Sequence, residues 1–428
     1  MTDEVTAEPA REVSSLRQEP TAKCGHRNNG SQASLAAMLL LAVAAAPLLT
    51  SGVSVLGPTL RSELNLSRAQ FGLFAVVIFS VAAAVSVPLG KLSDRISHKT
   101  GLVLNFTLAF AALMVLATAT SAAGFIASAV VGGAALGISN PLTNRIVNML
   151  AHPAHRGRIV ATKQVGVQVA QLISALVYPM VAGMLNWRAG PGIGALLVVV
   201  ALCVILAWLL PRSLFPAKHG SSLHAVGDEI RASPGFGMIV LTLYAVISGI
   251  IYQAAFLTLP LFAHEVFALT PGAAALTGAV LGAAGLVSRL AWGTMSDKRQ
   301  NAASALLLVA GLTSVSLLLL VLAAVYTAEW ALWAGTVLYG VSGTAVTVVL
   351  TSTILLHFPP ARIGRVSGVV ALGTFAGFAL GPMLFGIMVD SAGYPVAWTA
   401  LAVCAALAGC LIVVTRARAS GGTGTPGT

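Results

Sequence analysis

Arg289 and Lys163 each fall about one turn inside a run of apolar residues. A cation in that setting costs roughly 2.5–3.5 kcal/mol on insertion scales and is by default a functional candidate. The chain's carboxylates offer neither cation a partner: Asp3, Glu4, Glu8, Glu12, Glu19, Glu63, Asp94, Asp228, Glu229, Glu265, Asp297, Glu329 and Asp390 all fall in tails, connections or the ends of apolar runs. Two cations without an acid suit a negatively charged guest. The plainer alternative is that both side chains snorkel to an interface. Polar residues recur at helical spacing around them. Asn140 and Asn144 are four apart, and Gln164, Gln168, Gln171 and Tyr178 follow along the run that holds Lys163. Tyr244, Ser248, Tyr252 and Gln253 mark another run, and Tyr339, Ser342, Thr347 and Thr351 a fourth. Such stripes either tie helices together, at about 0.6 kcal/mol per contact, or line a cavity. Three glutamines on one stripe exceed what packing needs, which favours the cavity. The candidate binding set is therefore Lys163, Gln164, Gln168, Gln171, Asn140, Asn144, Tyr252, Gln253, Arg289 and Tyr339.

The elements that must carry these residues follow from composition. The chain is 57% hydrophobic and 9% charged, against roughly 25% charged residues in soluble domains, and its mean hydropathy is +0.90. Apolar runs of about 20 residues, the thickness of a hydrocarbon core in helix, recur throughout. Twelve spans are expected, the first six at about 34–57, 69–89, 101–119, 122–147, 159–184 and 191–211. The second six are expected at about 236–262, 271–292, 302–326, 330–356, 366–388 and 396–415. This is an all-α polytopic membrane protein in two six-helix halves, 34–211 and 236–415. Around them lie a disordered cytoplasmic N-tail (1–33), a cytoplasmic connector (212–235) and a cytoplasmic C-tail (416–428). With both tails inside, Lys and Arg number 21 on that side, against only Arg61, Arg68 and Arg188 outside. The net charge of +11 is thus a topology signal, and no nucleic-acid partner is required.

Two charged stretches join spans at equivalent places. Gly90-Lys91-Leu92-Ser93-Asp94-Arg95-Ile96-Ser97-His98-Lys99 links the second and third. Gly293-Thr294-Met295-Ser296-Asp297-Lys298-Arg299 follows the eighth, 203 residues later. The same offset pairs Pro179 with Pro382 and Gly183 with Gly386, as a parallel repeat requires. Gly90 permits close helix approach, and a carboxylate such as Asp94 gains about 0.3–1 kcal/mol at a neighbouring helix N-terminus. A contact of that size can be broken and remade in each cycle of a two-state machine.

The first stretch resembles the loop signature of the major facilitator superfamily, G-x-x-x-D-R-x-G-R-R/K, with Ser97 where the family usually has Gly and His98 where it often has Arg. The resemblance extends over residues 34–415 and implies two six-helix bundles that work by alternating access. It also implies gating roles for Gly90, Asp94, Arg95, Lys99, Gly293, Asp297 and Lys298, and for Arg145, which matches an arginine at the inner end of the fourth helix. The runs Asn140-Pro141-Leu142-Thr143-Asn144 and Lys163-Gln164-Val165-Gly166-Val167 look like a bacterial branch loosely related to cyanate-type and small organic anion carriers.

Other classes lack their residues. The four cysteines (Cys24, Cys203, Cys404, Cys410) have no metal-ligand spacing. No phosphate-binding G-x-x-x-x-G-K-[ST] loop is present, and no nucleophile or metal cluster suggests a membrane enzyme. The tails are too short for a folded signalling domain. His357 has the right titration range for coupling but lies at a span end. The expectation is a monomeric inner-membrane secondary transporter, without cofactor or metal, for a small organic anion with or without a coupling ion. The alternative is an efflux pump for neutral or cationic apolar compounds. The Gly373, Gly377, Gly381, Pro382 ladder in the eleventh span is expected to serve close packing with a bend.

Overall fold

Inside a bilayer a backbone must satisfy its own hydrogen bonds, and helices do so segment by segment. Every regular element among the described residues is a helix. The structure, a computed structural model, describes residues 29–151, 156–209, 236–298, 302–358 and 360–421. Residues 1–28 of the expected N-tail, the whole expected connector and residues 422–428 of the C-tail lie outside the described residues, and 29–33, expected in the tail, begin the first helix.

The first expected span is broken. α1 (Asn29–Ala45) and α2 (Pro47–Val55) meet at 49°, because Pro47 has no N–H to donate and its ring clashes with the preceding turn. α3 (Gly57–Leu64) continues to a left-handed cap at Asn65. α4 (Arg68–Arg95) opens on a capping box in which Ser67 and Gln70 exchange side-chain and backbone hydrogen bonds. α5 (His98–Ala117) and α6 (Ala122–Leu150) are capped by Ser97 and Ser121, so the narrow Thr118 to Ser121 stretch does divide two helices. α7 (Arg156–Met184) and α8 (Ala189–Val204) complete the first group.

The second group comprises α9 (Phe236–Phe267), α10 (Pro271–Lys298), α11 (Ala302–Tyr326), α12 (Glu329–Ser342), α13 (Val346–His357) and α14 (Pro360–Gly421). A 3₁₀ turn at Gly343–Ala345 interrupts the expected tenth span between α12 and α13. α14 is 62 residues long and contains one non-helical residue, Gly393, at φ 81°. Only glycine takes that conformation without strain, and it falls between the expected eleventh and twelfth spans. Among the described residues ten helices are long and apolar enough to cross a membrane, or eleven with the bent pair as one span.

Each group has its own core. In the first, Phe125 stacks on Phe71 and Phe74 at 6.0 and 5.0 Å. The fully buried Tyr178 ring lies against Gly52, Gly190 and Gly194. Tyr178 is thus a packing residue, although its spacing matched the glutamine stripe. In the second, Trp398 packs on Phe385 and Phe262 at 4.7 and 5.4 Å, and the Tyr244 hydroxyl donates to the Leu306 carbonyl at 3.0 Å. The α14 glycine ladder faces α9: a Cβ on Gly377 would lie 2.8 Å from the Ile250 nitrogen. The ladder is therefore the close packing its sequence implied.

The groups meet along α4 with α14 and α7 with α10. A Cβ on Gly72 would lie 2.6 Å from the Met383 Cα, so backbone touches backbone there. On the other side Gly278, Gly282 and Gly285 of α10 face Ala175, Gln171 and Gln168 of α7 in antiparallel steps.

Candidate functional site

The α7–α10 contact is where the glutamines lie. Gln171 donates through Nε2 to the Gly278 carbonyl at 3.2 Å, and its Oε1 has no partner. Gln168 is wholly buried, with neither amide atom bonded to protein. A Cβ on Gly285 would collide with the Gln168 amide, and one on Gly282 would press the Gln171 stem at 3.3 Å. Two glycines thus open the groove that two glutamine side chains occupy.

One turn beyond Gly285, Arg289 reaches from α10 to α7, where its Nη1 donates to the Gln164 carbonyl at 3.2 Å. Gln164 takes part through its backbone, a role its side-chain type did not announce. Arg289 Nε is buried without a partner. Tyr252 of α9 lies near this guanidinium, and Tyr339 of α12 lies near Tyr252. Both Arg289 and Tyr252 sit deep among protein atoms and yet keep some accessible surface. Tyr252 also carries an aromatic group across the junction, meeting Phe256 at 5.8 Å and Phe378 at 5.4 Å. Phe378 in turn meets Phe79 of α4 at 5.1 Å.

The Tyr339 hydroxyl is unpartnered and lines a small cavity inside the second group with Tyr244, Ser248 and Thr313. Gln253 is buried in α9. Lys163 is 1% exposed. Its ammonium donates to the Thr143 hydroxyl at 3.2 Å and to Asn144 Oδ1, both on α6. No carboxylate pairs with Lys163 or Arg289 among the described residues. Asn140, in contrast, is exposed on α6. The binding set therefore resolves into an inter-group cluster (Arg289, Tyr252, Gln164, Gln168, Gln171), an α6–α7 pair (Lys163, Asn144), and members apart from both (Asn140, Gln253, with Tyr339 bridging to the inner cavity).

The charged stretch is mostly helical: Gly90 to Arg95 form nearly the last two turns of α4, and Ile96 and Ser97 alone connect it to α5. Ser97, the departure from the signature, caps α5 by accepting from Thr100 N at 3.1 Å. Arg95 and Lys99 are exposed. Arg145 donates to the Ile96 carbonyl at 3.1 Å and so ties α6 to this connection. The backbones of Gly90, Asp94, Gly293, Asp297 and Lys298 are helical, and the surroundings of these residues' side chains lie outside the described set. The expected Asp94 contact falls there too.

Sequence reasoning passed over a second polar cluster at the opposite end of α4. Glu265 there accepts from Arg61, Arg68 and Tyr394. Arg61 and Arg68 are two of only three basic residues on the side expected to be outside, and Glu265 and Asp390 are among its few acids. That coincidence was the available signal.

Long apolar helices in two packed groups, with hydrogen-bonding groups and a cation at their junction, mark a multi-pass membrane protein. The sequence model of the Major Facilitator Superfamily matches residues 39–372, and the chain belongs to that superfamily. Among solved structures it is similar to the human organic anion transporter MFSD10 (TETRAN), at 19% identity and TM-score 0.64, over 89% of this chain and 99% of that one. A bacterial homolog of the human lysosomal transporter Spinster, inward-facing and unoccupied, matches at 16% identity and TM-score 0.71, over 90% and 96%. The nucleoside transporter NupG matches at 14% and 0.67, over 90% and 99%. At such identities the likeness speaks for the fold. The chain is a multi-pass membrane protein and a transporter rather than an enzyme.

Proposed function

We propose that the chain is a secondary active transporter that carries a small organic anion across the inner membrane by alternating access. It works as a monomer of two six-helix bundles, 34–211 and 236–415, with twelve spans and both termini cytoplasmic. The repeat is supported by the two inter-group contacts. Phe79 of α4 meets Phe375 of α14 at 6.3 Å. Shifted by 203 residues in opposite directions, these positions become Gly282 and Leu172, which also face each other, since a Cβ on Gly282 would lie 3.2 Å from Leu172 Cγ. A parallel repeat about an axis along the membrane normal exchanges its contacts in this way.

The anion rests on one observation: Arg289, at the junction of the two groups, has a buried Nε without a partner and pairs with no carboxylate among the described residues. A bound carboxylate supplies the missing charge, and the free atoms of Gln168 and Gln171 supply further hydrogen bonds. Lys163, held at the next residue to Gln164, is the second charge partner. Similarity to an organic anion transporter agrees with this reading without carrying it. The test is uptake of a carboxylate panel into proteoliposomes. Arg289→Gln is expected to weaken apparent affinity about 10- to 150-fold, the worth of a charge-assisted hydrogen bond. Wild-type rate and affinity in that variant would remove the assignment. A second reading, export of neutral or cationic apolar compounds, is favoured by the Phe79–Phe375–Phe378–Tyr252 rings at the junction. It predicts indifference to Arg289.

A further inference from the structure

All three ion pairs among the described residues lie at one end of the molecule, and each joins the first helix group to the second. From the first group come Arg61 on α3 and Arg68 at the start of α4; from the second come Glu265 in the last turns of α9, and Asp390 and Tyr394 on α14. Arg61 pairs with Glu265 Oε1. Arg68 gives Nη2 and Nε to Glu265 Oε2 at 2.7 and 3.1 Å, and Nη1 to Asp390 Oδ1 at 2.8 Å. The Tyr394 hydroxyl donates to the same Glu265 Oε2 at 2.7 Å. One carboxylate therefore gathers two arginines across the junction and a tyrosine from its own side.

We propose that Glu265 is the positioning residue that holds the transporter shut at this end, and that parting it from Arg61 and Arg68 is the step that opens it. The surroundings are those of a seal. A Cβ on Gly386 would lie 2.8 Å from the Arg68 carbonyl oxygen, so the α4 and α14 backbones touch beneath the ion pairs. At the other end of the same helix pair, a Cβ on Gly368 would find nothing within 4 Å. The side chains in the cluster are 19–38% exposed. Pairs in that condition are individually weak and are screened by salt, which suits a contact that must break in every cycle. Removing the Glu265 charge does more than delete contacts, because it leaves two guanidinium groups facing each other with Asp390 alone to balance them.

The test uses the full chain in nanodiscs without ligand, so its outcome is independent of what the protein carries. With Cys24, Cys203, Cys404 and Cys410 replaced by alanine, spin labels are placed at Ser62→Cys on α3 and Gly272→Cys at the start of α10. Ser62 is exposed, and nothing lies within 4 Å of a Cβ on Gly272. Pulsed dipolar spectroscopy is expected to find one short distance with Glu265 intact. In Glu265→Gln a longer distance gains population by roughly tenfold relative to the short one, as expected for the loss of several partly exposed pairs. High salt shifts the parent the same way and moves Glu265→Gln less, and Asp390→Asn gives a smaller shift. A merely structural role lowers the unfolding temperature without moving the distances. That result, or an unchanged distribution in Glu265→Gln, would overturn the proposal. Should Glu265→Gln fail to fold, the salt titration and Asp390→Asn read the same equilibrium.

Discussion

Replacing Lys163 by methionine separates a functional cation from a structural one, because the two predict opposite signs. The ammonium is 1% exposed and is held only by neutral oxygens, the Thr143 hydroxyl and Asn144 Oδ1. Burying an ion costs several kcal/mol even after relaxation, and its two hydrogen bonds return about 1.5–3 kcal/mol each at best. The terms nearly cancel. What remains after substitution also matters. The Thr143 hydroxyl keeps its bond to the Ser139 carbonyl at 2.7 Å, and Asn144 is exposed enough to find other partners. No buried orphan is created, and methionine restores much of the volume. The variant is therefore expected to unfold within about 1 kcal/mol of wild type, or above it, by differential scanning fluorimetry in detergent or nanodiscs. Carboxylate affinity in the same preparation is expected to fall about 10- to 150-fold. A loss of roughly 3 kcal/mol or more, which would mean that the two hydrogen bonds outweigh the cost of burying the ion, together with unchanged transport, would refute the reasoning and make Lys163 a structural residue.

Gly377→Ala should cost about 1–3 kcal/mol, since its new Cβ meets the α9 backbone, which has nowhere to go; thermal unfolding checks this. Gly285→Ala meets the far end of the Gln168 side chain and, at 3.1 Å, the buried Thr344 methyl, so stability should fall by about 1–3 kcal/mol and ligand affinity should drop with it, as read by paired unfolding and binding curves. Asn105→Leu removes a buried amide that donates to the Ala42 carbonyl at 3.0 Å. It should destabilise the first helix group by about 1–3 kcal/mol without altering apparent affinity. Glu329→Gln lies on an exposed helix start beside Trp333, and is expected to be silent within about 0.5 kcal/mol.

Hydropathy revealed most of the helices because each apolar run can satisfy its backbone only within itself. It missed the bend at Pro47 and the 3₁₀ turn at Gly343–Ala345, since neither changes the mean hydropathy of its run enough to end a span. Of the candidate site, the cation Arg289 and the glutamines at 168 and 171 stood out in the sequence by type and spacing, and the structure brings them to one junction. Which face each residue presents was not. Tyr178 shares the period of the glutamines but turns into a glycine-lined socket of its own group. The Glu265 cluster escaped because its members are scattered over α3, α4, α9 and α14 and meet only when the groups dock. Ser97 looked like a weakened motif and proved to be a helix cap.

The most direct test of the anion reading is ligand-dependent stabilisation of the purified wild-type protein across small carboxylates, cyanate-like anions and apolar amines. An anion that binds the folded state raises the unfolding temperature in proportion to the logarithm of its concentration above its dissociation constant. The account predicts such a rise for at least one carboxylate and its loss in Arg289→Gln. Stabilisation by apolar amines alone, equal in wild type and Arg289→Gln, would contradict it.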